Sequence, residues 1–381
     1  MKRIYLLSVL GILTALASVV NNMFSPAMPD LVNTFGIEAS TAQLGLTASL
    51  LGLALGQVII GPLSDRLGRR GPLLASMVLL ALASMASLIA PSLSLLLGLR
   101  VVQGLSAGGG IVIARSMASD MSQGNELIKT LAFINVFNGL FPIFTPMAGG
   151  ALTQAMGWQG PMLGTTIVAV VLCVACLFVP ESLPTERRVT TSAVATMSLF
   201  NKVFHNHTCL YTILHQGAAL AVLFGNIALT PFLVVRCGYS PSTIGYALGA
   251  NGIFTALGAG SAAAMGSGER GMRICSTGLL VSGIVMAVVL LSGMPFWCYE
   301  VVISVMLFFV GVTLTSSSGR AMDSARAQAG TASALLGAVG FVVGALVAPL
   351  MGLGNLMTSA AVVYVAAAVL NTLFTHLSNR G

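Results

Sequence analysis

Long apolar runs, each broken off by a short polar or Pro/Gly-rich segment, recur along the whole chain. They fall near 4–28, 42–62, 72–90, 94–117, 128–151, 159–179, 209–235, 242–264, 273–292, 297–318, 328–350 and 355–376. A helix needs roughly 20 apolar residues to cross the hydrocarbon core of a bilayer. Each run is close to that length, so twelve membrane-spanning helices are predicted. A helix also satisfies its own backbone N–H and C=O groups, as lipid demands. The longest polar stretch, 181–207, separates runs six and seven. The expected fold is therefore an all-α membrane protein of two pseudo-symmetric six-helix bundles, 1–180 and 208–381, joined by a cytoplasmic linker at 181–207.

Composition agrees with this pattern and removes the soluble alternatives. The 381 residues are 56% hydrophobic and only 7% charged, whereas soluble domains carry about 25% charged residues. No stretch remains for a soluble domain. The net charge of +7 reads as topology rather than as a nucleic-acid surface, because basic residues collect on the cytoplasmic side of membrane proteins. With both termini inside, all but two of the 17 Lys and Arg residues fall in cytoplasmic segments or helix ends; the exceptions are Arg236 and Arg100. Lys2-Arg3 and the apolar residues after them resemble a signal peptide. The run continues to about Met28, however, and is expected to stay as the first span. Cys173 and Cys176 form a CxxC inside an apolar run, which reads as packing. His205 and His207 read as part of a solvated linker rather than a metal site.

Chemistry concentrates in a few places. The segment Gly61-Pro-Leu-Ser-Asp65-Arg66-Leu-Gly68-Arg69-Arg70 packs one acid and three bases into a short inner loop. Glycines let helix ends approach closely there, and the charges are suited to a conformational latch. Asp65 also suits a helix N-terminus, where negative charge is favoured. Arg100 lies inside run four, where a charge costs at least about 2.5–3.5 kcal/mol. It is expected to face a cavity, with Gln103 sharing its hydrogen bonds. The amides Asn22, Gln57, Asn135, Asn138, Asn226 and Asn251 are candidates for the cavity lining. The small-residue pairs Gly52/Gly56, Gly104/Gly108 and Gly340/Gly344 predict close helix contacts. No phosphate-binding Gly-x-x-x-x-Gly-Lys-Ser/Thr loop and no His-Glu-x-x-His occur in the sequence, so ATP-driven and metalloprotease chemistry are excluded. No enzyme reading survives.

The loop resembles a motif of the major facilitator superfamily, G-x-x-x-D-R-x-G-R-R/K, matched at Gly61, Asp65, Arg66, Gly68, Arg69 and Arg70. Leu99-Arg100-Val-Val-Gln103-Gly104 looks like the arginine-bearing motif of that family. Pro142-Ile-Phe-Thr145-Pro146-Met-Ala-Gly149-Gly150 is similar to the Pro/Gly motif of its antiporter branches, with Thr145 where a glycine is usual. Pro180-Glu181-Ser182 is close to the family's Pro-Glu-Thr. Pro26-Ala-Met-Pro29 and Ala329-Gly330-Thr331-Ala332-Ser333 look most like the bicyclomycin/chloramphenicol-resistance (Bcr/CflA) type of drug:proton antiporter.

The resemblance implies the major facilitator fold and a secondary active efflux transporter working by alternating access. Its ligand would be a small, mostly apolar molecule. Its energy source would be the proton gradient, with no cofactor and no metal. The expected setting is the bacterial inner membrane, with membrane lipid and the small-molecule substrate as partners and the chain acting as a monomer. Coupling to protons needs a titratable acid. Asn22 stands where many relatives carry an aspartate. The nearest acid, Asp30, is about 12 Å further along a helix; Glu300 starts run ten, and His215 lies near the inner end of run seven. Arg100 and a carboxylate-free cavity would favour neutral or anionic ligands over cations. A dedicated exporter of one metabolite or siderophore, a solute importer and a non-transporting sensor remain the alternatives.

Overall fold

The computed structural model of the chain describes residues 2–122, 124–188, 206–262, 268–324 and 329–378. Most of the linker, including His205, lies outside the described residues. All regular structure among the described residues is helical. Two compact units form: the first holds Met1–Ile37, Ala48–Ser192 and Ser240–Tyr246, the second Glu38–Thr47, Ala193–Tyr239 and Ala247–Gly381.

The helices of the first half are α1 (Lys2–Thr14), α2 (Leu16–Asn21), α3 (Met28–Phe35), α4 (Ala39–Leu67), α5 (Arg70–Ser87), α6 (Leu93–Met121), α7 (Gly124–Met156) and α8 (Gln159–Leu177). The first apolar run is thus not one helix. α1 and the segment from Leu16 to Phe35 meet at a bend of 47°, and a 3₁₀ turn at Ser25–Ala27, with Pro26 inside it, separates α2 from α3. Proline lacks the N–H that a continuous helix would use there. Gly36, with φ +62°, closes α3 in a left-handed cap, a conformation open to glycine at little cost.

The helices of the second half are α9 (His207–Arg236), α10 (Pro241–Ser261), α11 (Gly268–Leu291), α12 (Phe296–Ser324), α13 (Ala329–Leu350) and α14 (Leu356–Ser378). α9 packs against α12, α13 and α14, and α11 packs against α12 and α14. Each of the twelve runs is therefore mainly helical among the described residues. Among the described residues nine helices are long and apolar enough to cross a membrane, and ten if the bent first pair counts as one span. α10, diluted by Gly, Ser, Thr and Asn251, falls short on apolarity.

Several helices outrun their apolar stretches: α4, α6 and α12 have 29 residues each. Polar residues continue or cap the helix where hydropathy has already fallen. The Ser92 hydroxyl caps α6 by accepting the Leu95 N–H, and the Asn206 side chain caps α9 by accepting the Cys209 N–H.

The predicted glycine contacts are a crossing of α4 and α6 in the first unit. A Cβ added at Gly104 would stand 2.0 Å from the Ser49 carbonyl oxygen, and one at Gly108 2.4 Å from that of Leu53. Gly52 and Gly56 face the carbonyls of Val101 and Leu105 just as closely. Only the missing side chains let these backbones touch. The second unit repeats the device between α10 and α12, where Gly258 abuts the Phe308 carbonyl and Gly311 that of Thr255. Gly340 and Gly344 instead receive the side chains of Leu220 and Phe224.

Candidate functional site

Arg100 is fully enclosed in the first unit. It extends from α6 toward α2 and α4 rather than to an open surface. One terminal nitrogen donates to the Val20 carbonyl and to Gln103 Oε1, both at 2.9 Å. The other donates to Ser49 Oγ at 2.9 Å and Asn21 Oδ1 at 3.2 Å. The Ser49 hydroxyl also donates to Asn21 Oδ1. Phe24 presents its ring face 4.1 Å from the guanidinium carbon, a favourable cation–π arrangement. Gln103 completes the cluster by donating to Ser84 and Ser87 of α5. The predicted Arg100–Gln103 pairing is present, but the amide on the first crossing that holds Arg100 is Asn21. Asn22 is the next residue, half-buried at the end of α2. Helical rotation of about 100° per residue separates the two.

Residues 61–67 belong to the end of α4, and only Gly68-Arg69 lie between α4 and α5. Asp65 thus stands in the last turn of a helix rather than at a helix N-terminus. This corner is a closed electrostatic assembly. Arg69 is buried and donates to Asp65 at 2.5 Å, to Ser64 at 2.8 Å and to Asp120 of α6 at 3.0 Å. Burial opposes its charge, but Asp120 and Asp65 outweigh that cost and hold the guanidinium more firmly protonated than usual. Glu181, just past α8, accepts the backbone N–H groups of Arg69 at 2.8 Å, Arg70 at 3.1 Å and Leu183 at 3.0 Å. Its partial burial pushes its pKa up; those three N–H groups and the Arg188 charge prevail and hold it below the ordinary carboxylate range. Ser182 donates to Asp120 at 3.0 Å, and Arg70 reaches the Leu177 carbonyl at 2.8 Å. Gly68 turns the chain here at φ +93°, and a Cβ on it would strike Glu181 Oε2 at 2.6 Å. Gly61 offers its carbonyl to the Ser64 hydroxyl, while Arg66 points outward. The two sequence motifs, Gly61–Arg70 and Pro180-Glu181-Ser182, are thus halves of one structure. Asp120, which carries no motif signal, joins them.

The second unit holds a buried chain of polar groups that links α9, α10, α12 and α14. Asn226 Oδ1 accepts from Thr230 at 2.7 Å, from the Tyr299 hydroxyl at 3.2 Å and from the Asn251 amide at 3.5 Å. Ser304 donates to Asn251 Oδ1 at 3.0 Å, and the Tyr299 and Tyr364 hydroxyls lie 3.3 Å apart. Two predicted amides, Asn226 and Asn251, are brought together here. Glu300 stands beside this chain, only 9% exposed. It lies one turn inside α12. No signal in the sequence distinguishes a carboxyl turned into the bundle from one turned outward at such a position.

His215 forms a separate buried cluster. Its ring nitrogens lie 3.0 Å from Ser317 Oγ and 3.5 Å from Ser276 Oγ, and its carbonyl accepts from Asn371 at 2.9 Å. This is the pattern of a structural partner. Asp30 Oδ2 accepts the Trp158 N–H at 2.7 Å and so caps the start of α8. Asn138 donates to Thr14 at 3.1 Å and to Asn135 at 3.4 Å, and Gln57 is buried in α4. Pro142 and Pro146 both lie inside α7. Gly149 of that helix lies against the Met23 carbonyl and Gly150 against that of Pro241. The side chains of Ala329–Ser333 lie outside the described residues. The second unit also carries an apolar groove of about 720 Å³, lined among others by Ile274, Val281, Val305 and Phe309. None of the candidate site residues lines it.

Comparison with known proteins places these features in a family. The family model described as "Major Facilitator Superfamily" matches residues 10–349. An uncharacterized MFS-type transporter, YdgK, of Bacillus subtilis (strain 168) is 31% identical over 367 residues, covering 93% of this chain and 90% of the relative. A bicyclomycin resistance protein homolog of Haemophilus influenzae is 23% identical over 363 residues, again covering 93% and 90%. Among solved structures, the inward-facing, unoccupied crystal structure of a bacterial homolog to the human lysosomal transporter Spinster superposes with a TM-score of 0.76. At 17% identity it covers 99% of this chain and 98% of that one, a likeness of fold. The chain is a multi-pass membrane protein of a transporter family, not an enzyme, and it belongs to the Major Facilitator Superfamily.

Proposed function

We propose that this chain is a secondary active efflux transporter that exports small, mostly apolar, drug-like compounds by alternating access. The observation that carries this reading is the charge assembly around Arg69. A bare positive-inside anchor needs neither Asp65 and Asp120 on one guanidinium nor a carboxylate holding two loop amides. A latch that must hold one arrangement and release it needs both. The likeness to a bicyclomycin resistance homolog supports drugs as the ligand class. In this reading the proton gradient drives antiport and no cofactor takes part. The chain acts as a monomer in the bacterial inner membrane with both termini in the cytoplasm. Neutral or anionic compounds are favoured over cations.

Expression in a bacterial host stripped of its own drug pumps, challenged with a panel that includes bicyclomycin, chloramphenicol and quaternary cations, tests this. Protection against several neutral compounds is expected. Protection against none would favour an exporter dedicated to one metabolite, and preferential export of the cations would overturn the stated ligand preference. Flux into vesicles under an imposed proton gradient fixes the direction; ligand moving with the protons would make the chain an importer.

A further inference from the structure

Glu300 lies one turn inside α12, roughly 6 Å along the axis from Phe296. Phe296 and Trp297 begin that helix and pack with Tyr239, their rings 5.4–6.1 Å apart. Aromatic clusters of this kind sit at membrane–water interfaces, so the carboxyl is close to water by distance yet closed off by packing. Its exposure is only 9%; neither carboxyl oxygen completes a hydrogen bond of full geometry among the described residues, and the group that comes close enough to interact with it is the uncharged Asn251 side chain.

The groups facing it are few. Asn251 of α10 stands beside it, and the titratable neighbours are Tyr299 on its own helix and Tyr364 of α14. α9 contributes Asn226 and Thr230, which bond to Tyr299. The cation of that helix nearest in sequence, Arg236, is exposed and lies about 9 Å further along its axis from Thr230. The charges of α11 lie at the opposite end of α12, since Gly271 abuts Ser316 and Gly278 abuts Phe309. His215 and Arg320 are at that far end as well, His215 against Ser317, and α13 carries no titratable residue. No ion pair to Glu300 occurs among the described residues.

An ionised carboxylate buried without a partner is strongly disfavoured, and a carboxyl group in that position relieves the cost by holding a proton. We infer that Glu300 is the carboxyl that takes up and releases the coupled proton; the inference rests on the proton-antiport reading above. Glu300 takes a proton from the aromatic-belt side and becomes a neutral acid inside the bundle. It returns to a carboxylate when the proton leaves. No other bond changes. Because Asn251, Asn226, Tyr299 and Tyr364 are already wired to one another, the charge appears or vanishes beside a network that spans four helices. Such a position lets protonation bias how those helices pack.

The test uses the full-length protein reconstituted in lipid vesicles. Infrared difference spectra over a pH series are expected to show a protonated-carboxyl band that appears and vanishes with pH. It should vanish in Glu300→Gln and remain in Asp30→Asn. Transport of chloramphenicol and bicyclomycin driven by a pH gradient should be lost in Glu300→Gln and recovered in Glu300→Asp, whose retained carboxyl excludes a folding defect as the cause. Absence of the band from the parent, its persistence in Glu300→Gln, or equal gradient response of parent and Glu300→Gln would overturn the role of Glu300 and leave antiport standing. A parent indifferent to the gradient would overturn antiport and the coupling role with it.

Discussion

Arg69 and Asp120 are 51 residues apart in the chain, yet the guanidinium Nε donates to the carboxylate at 3.0 Å. The Asp120 side chain is only 18% exposed and that of Asp65 is 40% exposed. A hydrogen bond to a charged group contributes about 1.5–3 kcal/mol, whereas an exposed ion pair contributes about 0–1 kcal/mol. Asp120→Ala is therefore expected to lower the melting temperature of the purified protein clearly more than Asp65→Ala. The reverse order, measured by thermal unfolding in detergent, would show that the motif aspartate is the structural partner.

Glu181 has its pKa depressed in the folded protein, so its contribution to stability is fully present above the unfolded value of about 4.3. It fades as pH falls through the lower, folded value. Melting temperatures of the parent and of Glu181→Gln should differ at neutral pH and converge in acid. A difference that stays constant to low pH would mean that the side chain acts through packing rather than through charge.

The asparagines of the first crossing divide sharply. Asn21 Oδ1 accepts from both Arg100 and Ser49, while Asn22 is half-buried at the helix end. Asn21→Ala leaves buried donors short of an acceptor, at about 1–3 kcal/mol, and is expected to depress both folded yield and transport. Asn22→Ala should fold normally. Its effect on transport then reports contact with ligand alone, since no fold defect obscures it.

Glycines that look alike in sequence should respond oppositely to alanine. At Gly104 the new methyl group would meet the Ser49 backbone, and overpacking of this kind costs about 1–3 kcal/mol. At Gly98, about 9 Å further from that crossing along α6, nothing lies within 4 Å of the new atom. Gly98→Ala should be neutral or stabilise by about 0.5–1 kcal/mol. Expression level and melting temperature separate the two variants directly.

The helices were legible in the sequence because lipid imposes a length and an apolarity on every crossing. What failed was local. The break between Thr14 and Leu16 lies within an unbroken apolar stretch, and hydropathy carries no information about direction. The charged loop was legible through its own residues, but its partners were not. Asp120 and Glu181 are distant in sequence, and their role appears only when α6 and the end of α8 are brought to the loop. Asn21 was missed for a neighbour by one position, which on a helix is a different face. Glu300 was visible as an acid, but its enclosure was not, because burial belongs to the tertiary fold and is not a property of a place near a helix start.

The bent first crossing has a mechanical consequence. Val20 lies in the last turn of the short helix α2, where carbonyls outnumber intrahelical donors and the helix dipole is negative. The guanidinium that satisfies its carbonyl is anchored on α6. The joint is thus riveted by a cation from another helix. Straightening the first crossing would pull the Val20 carbonyl and the Asn21 amide away from that cation and leave it Ser49 and Gln103 alone among these four acceptors, and so the elbow and α6 are coupled.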